Sequence, residues 1–308
     1  MANLDELMFP VFETSGIGSI AEIGAYAGDL TGVLLEWATP RGVSVTAVDP
    51  VPQPALVEMA EGSSNLRLER ATSIEAIPRM ELPDAFIIDG DHNYHTVSEE
   101  LRLIAEKAGD GPMPLLLFHD VCWPHGRRDS YYAPDRIPDE YRETIAEGVG
   151  IAPEEPGLTY GGFPYKWVQE REGGERNGVL TAVEDFLAER DDLELAIVPI
   201  FFGFGVSWPR EAPYAGALRE LLAPWDRNPM LARLEWNRVK SLAQSYVSRT
   251  EVAVLRERNW RQEKLLLEIG RSTGLAVTDR LSRFNRNGNP GLRERITDEL
   301  ETSRNEPV

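Results

Sequence analysis

All four histidines of the chain fall in one stretch that starts at His92, and aspartates stand close to them. One run reads Ile-Asp-Gly-Asp-His and contains Asp89, and a later run reads Phe-His-Asp and ends at Asp120. Carboxylate oxygens are ligands that Mg²⁺ prefers, and a metal-bound hydroxyl loses its proton more easily. We therefore expect Asp89 and Asp120 to bind Mg²⁺ or another divalent cation, and a neighbouring histidine to accept a proton.

A second group of residues has the spacing of a nucleotide-binding loop. The run Glu-Ile-Gly-Ala-Tyr-Ala-Gly places Glu22 before Gly24 and Gly28, two glycines that permit a sharp turn and close approach of a ligand. Asp49 ends the next apolar run, where a carboxylate can accept hydrogen bonds from a ribose diol. The spacing differs from the G-x-G-x-x-G of dinucleotide sites, which hold a pyrophosphate. A ligand without phosphate, such as S-adenosylmethionine, fits better, and Glu22 would suit its ammonium group.

Short apolar runs alternate with amphipathic segments over the first three-fifths of the chain, which indicates a doubly wound α/β sheet. Several runs are continuously apolar, as expected for parallel strands that helices cover on both faces. The predicted strands are Ser19–Ile23, Ser44–Val48, Leu66–Glu69, Ala85–Ile88, Pro114–His119, Leu193–Pro199 and Gly203–Trp208. The predicted helices between them are Asp29–Ala38, Pro54–Glu61, Thr96–Ala108 and Val179–Glu189.

The order of these elements places the candidate residues together. Asp89 follows the fourth predicted strand and Asp120 follows the fifth, and these two strands are neighbours in a doubly wound sheet. We therefore expect both aspartates, with His92 and His119, around one small volume beside the glycine loop. The last two strands are joined by only a few residues, so they form an antiparallel hairpin. The expected sheet is seven-stranded and mostly parallel, with a reversed strand at one edge.

The glycine loop resembles the first motif of class I S-adenosylmethionine-dependent methyltransferases, (Asp/Glu)-x-Gly-x-x-x-Gly. This resemblance implies a Rossmann-like fold with S-adenosylmethionine as the cofactor. It also implies cofactor-binding residues in the loop and at the ends of the strands that follow. They are Glu22, Gly24, Tyr26, Gly28, Asp49, Thr72, Ser73 and Asp89, with Thr72 and Ser73 near the adenine.

The run Ile-Asp-Gly-Asp-His-Asn-Tyr-His-Thr-Val, followed later by Phe-His-Asp, resembles the metal-dependent sugar O-methyltransferases of the macrocin type. It is also similar to the related cephalosporin-hydroxylase-like group. The resemblance covers about residues 15–210 and implies that Asp89 binds the metal and that His92 is the catalytic base. Asp120 matches the second metal position. His119 stands where that family often has a glutamate, and it is a further candidate metal ligand.

A segment rich in proline, glycine and aromatic residues, 122–166, interrupts the alternation and is predicted to be an acceptor loop or lid. Aromatic faces pack against the C–H faces of sugar rings, and arginines bind carboxylates or phosphates. We therefore expect a pocket for a small-molecule or glycan acceptor. The predicted acceptor residues are His95, Trp123, His125, Arg127, Tyr131 and Tyr132. A second aromatic cluster completes the frame at Tyr160, Phe163, Tyr165 and Trp167.

Residues 211–308 lack a strand pattern and are predicted to form a helical extension of a methyltransferase domain that spans 1–210. Apolar residues recur there at roughly helical spacing among charged residues. We expect two or three helices, with a break at Asn285–Gly291. We expect these helices to pack on the domain or on a second subunit in a homodimer.

The composition limits the classes of function. The chain has 308 residues and a net charge of −19, so it should repel nucleic acid and anionic lipid. Its single cysteine, Cys122, rules out an intramolecular disulfide and a cysteine-rich zinc cluster. The sequence shows neither a signal peptide nor an apolar run long enough to span a bilayer. We therefore expect a cytoplasmic protein without membrane contact.

The leading hypothesis is a metal-assisted transfer of a methyl group from S-adenosylmethionine to a hydroxyl of a sugar, polysaccharide or glycosylated natural product. A catechol-type phenolic O-methyltransferase is an alternative, although that group usually has Asp-Asn at the second metal position and a lysine base. An Fe²⁺ hydroxylase using His92, His119 and Asp120 is another, and it would leave the glycine loop unexplained. A non-catalytic scaffold that uses the helical extension would leave the histidine cluster unexplained.

Overall fold

The computed structural model describes residues 1–142, 144–282 and 290–305. The chain divides into two compact units, Met1–Gln244 and Ser245–Val308. The first unit extends past residue 210, where the sequence suggested that the methyltransferase domain ends, and takes in a further helix and the start of a long one. The functional division at residue 210 stays a prediction.

A seven-stranded sheet forms the centre of the first unit. The strands of the described residues are β1 (Ser19–Ile23), β2 (Ser44–Val48), β3 (Leu66–Glu69), β4 (Ala85–Ile88), β5 (Leu115–His119), β6 (Ile145–Ile151), β7 (Phe163–Gln169), β8 (Leu193–Val198) and β9 (Phe204–Pro209). The sheet has the order β3-β2-β1-β4-β5-β9-β8, and its first five strands are parallel. The predicted mostly parallel sheet, with β4 beside β5, is confirmed.

The reversed strand is β9, and it lies between β5 and β8 rather than at the edge, so that detail of the prediction was wrong. β9 pairs antiparallel with both neighbours, and β8 at the edge therefore runs parallel to β5. The β8–β9 hairpin forms as expected, but it turns back toward the centre of the sheet. Every residue of β9 is buried, whereas β8 has partly exposed residues, so the inner place suits β9.

Helices cover both faces of the sheet. They are α1 (Asp5–Ser15), α2 (Asp29–Ala38), α3 (Pro54–Gly62), α4 (Ser73–Ala76), α5 (Tyr94–Ala108), α6 (Val179–Ala188) and α7 (Ala215–Leu222). One apolar cluster joins α1, α2, α3 and α7 to the sheet, and a second joins α4, α5 and α6 to the opposite face. α5 begins two residues earlier than predicted because Asn93 caps it, accepting the N–H of Thr96 at 2.8 Å. His95 therefore lies inside this helix.

The insertion after β5 contains a two-stranded antiparallel sheet, β6 with β7, which the sequence did not predict. Gly148 and Gly150 interrupt the apolar pattern of β6, and Pro164 interrupts that of β7, so neither run reads as a regular strand. Their pairing places Val149 opposite Tyr165. The predicted loop is therefore partly a hairpin, and β7 also forms a bridge to Ser130.

The C-terminal region is helical, as predicted. It contains α8 (Pro229–Arg271), α9 (Thr273–Ser282) and α10 (Leu292–Asn305), and α8 runs from the first unit into the second. Within the second unit, every residue from Glu251 to Trp260 is exposed. Most of the predicted break at Asn285–Gly291 lies outside the described residues. None of the described helices combines the length and apolar character needed to cross a membrane. The homodimer stays a prediction.

Candidate functional site

The loop between β1 and α2 carries both glycines of the predicted motif. Gly24 has a φ of +88°, and a Cβ atom there would lie 2.2 Å from the backbone oxygen of Asp89. Gly28, with a φ of +86°, is the N-cap of α2. A side chain at Gly24 is excluded both by the left-handed φ and by this close approach. The glycine loop therefore lies directly against the end of β4, where the predicted metal site begins.

Asp49, at the end of β2, is buried and holds the same loop from the other side. Its Oδ2 accepts the N–H of Tyr26 at 2.8 Å, and its Oδ1 accepts the N–H of Val51 at 2.7 Å. These bonds fix the carboxylate, and each oxygen keeps a second lone pair for a ligand. The Tyr26 side chain is exposed. The arrangement suits the binding of a diol at the carboxyl end of β2.

Glu22 is buried in β1 and faces the first turn of α2. Its Oε2 accepts the hydroxyl of Thr31 at 2.6 Å, and burial raises the pKa of the Glu22 carboxyl to about 7. A carboxyl group with this pKa changes its charge near neutrality, whereas an exposed one does not. Its contact with the ammonium group of a cofactor stays a prediction.

Thr72 and Ser73 lie between β3 and α4, where Thr72 forms a capping box with Glu75. The Thr72 hydroxyl accepts the N–H of Glu75 at 3.3 Å, and the Glu75 carboxylate accepts the N–H of Thr72 at 3.1 Å. The pair stabilises the start of α4. Ser73 is buried. Thr72 thus has a structural role of its own, and the adenine contact of both residues stays a prediction.

Two aspartates and a histidine meet at the ends of β4 and β5, as the order of the elements predicted. Nε2 of His92 lies 3.0 Å from Oδ2 of Asp120 and 3.5 Å from Oδ1 of Asp89. One ligand atom from each of these three residues lies within 4.8 Å of the other two. A single cation could contact all three residues at this spacing.

The ring nitrogen of His92 that faces the carboxylates has no hydrogen-bond partner of suitable geometry among the described residues. Buried polar atoms rarely lack one. Asp120 has a φ of +59°, a left-handed conformation that non-glycine residues adopt rarely and mostly at functional sites. Two hard carboxylates and one unsatisfied imidazole nitrogen form a donor set that fits a divalent cation.

His119, at the end of β5, has a different environment. Its Nδ1 lies 3.1 Å from Oδ1 of Asp89 and 3.2 Å from Oδ2 of Asp120. Its Nε2 lies 2.9 Å from the carbonyl oxygen of Phe201, to which it can only donate. Burial disfavours the charged ring, but the carboxylates of Asp120 and Asp89 outweigh this and raise the pKa of His119 to about 10. A metal bound through His119 would have to replace this bridging imidazolium.

The charges of the cluster support one another. Burial would raise the pKa of both aspartates, but the two histidines outweigh it and hold the pKa of Asp89 and of Asp120 well below the usual range. Burial would likewise lower the pKa of His92, but Asp120 and Asp89 outweigh it and raise that pKa. The α-ammonium group of Met1 also lies 3.5 Å from Oδ2 of Asp89. Both carboxylates are therefore ionised at neutral pH, as a cation site requires.

A cavity of about 630 Å³ opens beside this cluster. The segment after β5 contributes Tyr131 and Tyr132 to its lining, and β7 contributes Tyr165, Lys166 and Trp167. The volume lies in the range of small-molecule sites. Its aromatic walls and acidic end suit a compact acceptor with both apolar faces and hydroxyl groups.

Half of the predicted acceptor residues line this cavity, namely His125, Tyr131 and Tyr132. The ring of His125 stacks on that of His92 with centroids 5.0 Å apart. Burial lowers the pKa of His125 to about 4, so its ring is neutral at physiological pH. His125 therefore forms an uncharged wall behind His92.

The other predicted acceptor residues, Trp123, Arg127 and His95, are not part of this lining. Trp123 packs edge-on against Phe163 and Trp236. Arg127 pairs with Glu184 at 2.6 Å and donates to Thr181 at 2.9 Å. The ring of His95 lies 4.6 Å from that of Tyr141. All three side chains thus contact other groups of the protein, and their contact with an acceptor stays a prediction.

Sequence reasoning did not single out Lys166 or Phe202, which also line the cavity. Lys166 stands between two members of the second aromatic cluster, and that neighbourhood was an available signal. Phe202 comes from the β8–β9 turn and has a φ of +70°. Nothing in its local sequence places it near the histidine cluster, because only the pairing of β9 with β5 brings it there.

Two solved methyltransferase structures are similar to part of this chain. The SAH-bound methyltransferase PaMTH1 of Podospora anserina is 15% identical, covers 66% of this chain and 76% of its own, and has a TM-score of 0.42. Human N-acetylserotonin methyltransferase in complex with SAM is 13% identical, covers 67% and 51%, and has a TM-score of 0.38. At this similarity neither structure assigns a substrate to the chain.

No curated protein matches the sequence. A family model does match it, over residues 21–121, a range that runs from β1 through Asp120. It therefore includes the glycine loop, Asp49 and the cluster at the ends of β4 and β5. The description of that family is "Methyltransferase domain", and residues 21–121 of this chain match it.

Proposed function

We propose that the protein is an S-adenosylmethionine-dependent O-methyltransferase that uses a divalent metal to activate a sugar hydroxyl. The observation that carries this proposal is the contact between Gly24 and Asp89. The glycine loop touches the backbone of the residue that begins the carboxylate cluster. A ligand held by the loop and Asp49 would therefore lie next to an acceptor in the cavity.

Residues at the ends of β1 and β2 would hold the cofactor. The Asp49 carboxylate is fixed by two backbone N–H groups and offers its remaining lone pairs to the ribose diol. Gly24 and Gly28 have left-handed backbone conformations and no side chains, so the methionine part of the cofactor can pass close to the loop. When bound, S-adenosylmethionine supplies an electrophilic methyl group on a sulfonium. The protein itself contributes alignment of that group with the acceptor oxygen.

Asp89 and Asp120 would hold the metal, since both carboxylates are ionised and close together, Asp120 buried and Asp89 partly exposed. A bound divalent cation lowers the pKa of a coordinated hydroxyl. His92 would accept the released proton at Nε2, the ring nitrogen that faces both carboxylates and makes no hydrogen bond of suitable geometry with the described residues. His125, stacked behind it and uncharged, would keep the His92 ring in place.

The cavity walls favour a sugar as the acceptor. Tyr132, Tyr165 and Trp167 offer aromatic surface, on which the C–H faces of a sugar ring pack well. Histidine and carboxylate groups of the same lining suit its hydroxyls.

Binding of S-adenosylhomocysteine, measured by calorimetry with and without Mg²⁺, tests the proposal. We expect the wild type to bind it, and Asp49→Ala to weaken binding by about 10- to 100-fold because the ribose loses a charged acceptor. Asp110→Ala, in the exposed turn after α5, is the control and should bind normally. Failure of the wild type to bind S-adenosylhomocysteine, with or without Mg²⁺, would overturn the proposal.

Methyl transfer to a panel of glycosides, followed by mass spectrometry, tests the role of the metal. We expect a mass gain of one methyl group that disappears with EDTA and returns with Mg²⁺. Transfer that persists in EDTA would contradict a metal-assisted reaction while leaving the cofactor assignment intact.

A further inference from the structure

Among the described residues that line the cavity, Lys166 is the one lysine or arginine. It lies on β7, is exposed, and places its Nζ 3.7 Å from the ring centroid of Trp167. A cation held over an aromatic face is oriented by the ring, toward which one of its N–H groups can point. The Lys166 ammonium is therefore positioned, and its remaining N–H groups stay available to a ligand.

No carboxylate of the described residues lies within ion-pair distance of Lys166. Two arginines of the same insertion, Arg127 and Arg128, have partners within the protein. Arg127 pairs with Glu184. Arg128 is 1% exposed and donates to the carbonyl oxygens of Pro156 and Gly157. These two arginines are thus bound within the protein and do not belong to the cavity lining, whereas Lys166 does.

The net negative charge of the chain bears on which kind of acceptor Lys166 would bind. With 51 acidic residues against 32 lysines and arginines, the protein repels anions at long range. A local cation in the cavity would offset that repulsion for an anionic acceptor. A neutral acceptor would need no cation in the cavity. Lys166 would then have no part in binding the acceptor.

We propose that Lys166 binds a carboxylate substituent of the acceptor, so that the substrate is a sugar acid or its glycoside. One ammonium balances a single negative charge, which a carboxylate carries. A phosphate dianion would leave a second negative charge that the single ammonium of Lys166 does not balance, and we therefore favour the carboxylate. This inference rests on the proposed function, because it places the acceptor in the cavity.

Calorimetry with two probes that differ only in the carboxylate tests the inference. The probes are methyl glucuronide and methyl glucoside, each titrated into protein saturated with S-adenosylhomocysteine and Mg²⁺. We expect the wild type to bind the glucuronide about tenfold more tightly, the size of a charge-assisted hydrogen bond, and Lys166→Gln to lose that preference. The preference should also shrink at high salt.

Lys264→Gln is the matched control. Lys264 also lies over a tryptophan ring, 5.6 Å from the centroid of Trp260, but it belongs to α8 in the second unit. The control should keep the tenfold preference, and the thermal midpoints of both variants should match that of the wild type because both lysines are exposed.

Equal affinity for the two probes, no affinity for either, or a preference that survives in Lys166→Gln would each overturn the inference. Tighter binding of methyl glucoside 6-phosphate than of the glucuronide would contradict the choice of a carboxylate. These outcomes are separate from failure of the proposed function, which the absence of S-adenosylhomocysteine binding would reveal before any probe is added.

Discussion

The carboxylate of Asp129 accepts the backbone N–H of Tyr94 at 2.8 Å, two residues after His92. The same oxygen accepts the N–H of Gly178 at 2.6 Å, at the start of α6. The next residue of the insertion donates its own N–H to the carbonyl oxygen of His92 at 2.9 Å. The segment after β5 therefore holds the backbone around the proposed base and joins it to two helix starts.

Asp129→Ala should destabilise the protein by about 2–4 kcal/mol, since it leaves buried N–H groups of two helices without their acceptor. Asp129 is 1% exposed, so water cannot replace the carboxylate. Methyl transfer should fall further than the loss of folded protein explains, while the affinity for S-adenosylhomocysteine stays within about threefold. Urea unfolding and calorimetry measure the two effects.

Asp135→Ala, an exposed position of the same insertion, should change neither quantity. If the Asp129 variant kept the wild-type rate of methyl transfer per folded molecule, the hydrogen bonds of Asp129 would serve only to stabilise the fold.

Gly24→Ala should abolish cofactor binding. Its methyl group would meet the backbone oxygen of Asp89 at 2.2 Å, and backbone cannot move aside cheaply. Gly42→Ala is a matched control, because its φ of +68° is also left-handed but no atom lies within 4 Å of the added Cβ. The control should lose only about 1–2 kcal/mol of stability and keep its cofactor affinity. Calorimetry with S-adenosylhomocysteine compares them, and equal behaviour of the two variants would show that the loop does not need its contact with β4.

His92→Ala should lower methyl transfer by about 10²- to 10⁴-fold, the usual contribution of a general base. Affinity for S-adenosylhomocysteine should change little, because the glycine loop and Asp49 remain. Mg²⁺ affinity separates the two roles that the geometry allows this residue. A base leaves that affinity nearly unchanged, whereas loss of a ligand typically weakens it by tenfold or more.

Asp110→Ala, in the exposed turn after α5, is the control and should transfer normally. A large loss of Mg²⁺ affinity in the His92 variant would make His92 a ligand and leave the base unassigned.

Glu100→Gln should stabilise the protein at alkaline pH. Glu100 is buried in α5, neither of its carboxyl oxygens has a hydrogen-bond partner of suitable geometry among the described residues, and burial raises its pKa from 4.5 to about 8. Between these values the folded state keeps a proton that the unfolded state has released. The wild type therefore loses stability as pH rises through this window.

Urea unfolding at pH 5 and pH 8.5 measures this effect. The glutamine variant should match the wild type at pH 5 and exceed it at pH 8.5 by an amount on the order of 3 kcal/mol. Glu99→Gln, one residue earlier and bonded to Arg102, should show no such gain at high pH, because the pKa of Glu99 is lowered by that arginine. Parallel pH profiles for wild type and Glu100→Gln would refute the buried-acid interpretation.

The sequence by itself determined the order of strands and helices and the positions of the reactive side chains at the strand ends. Buried parallel strands need continuous apolar runs, and such runs end at Asp89 and just before Asp120. The neighbouring places of β4 and β5 follow from the doubly wound order. Gly24 and Gly28 were visible because only glycine adopts their backbone readily. These features are local or follow from general rules of chain connection.

The tertiary structure alone decided which side chains share partners. His119 bridges both aspartates because the carbonyl oxygen of Phe201, on the turn before β9, holds its other nitrogen. That contact depends on the place of β9 beside β5, which the short hairpin did not specify. Likewise, Arg127 is paired with Glu184, 57 positions away in the chain, while Lys166 faces the cavity. Which residues form such hydrogen bonds and ion pairs depends on distances between segments far apart in the sequence. A local sequence pattern does not specify those distances.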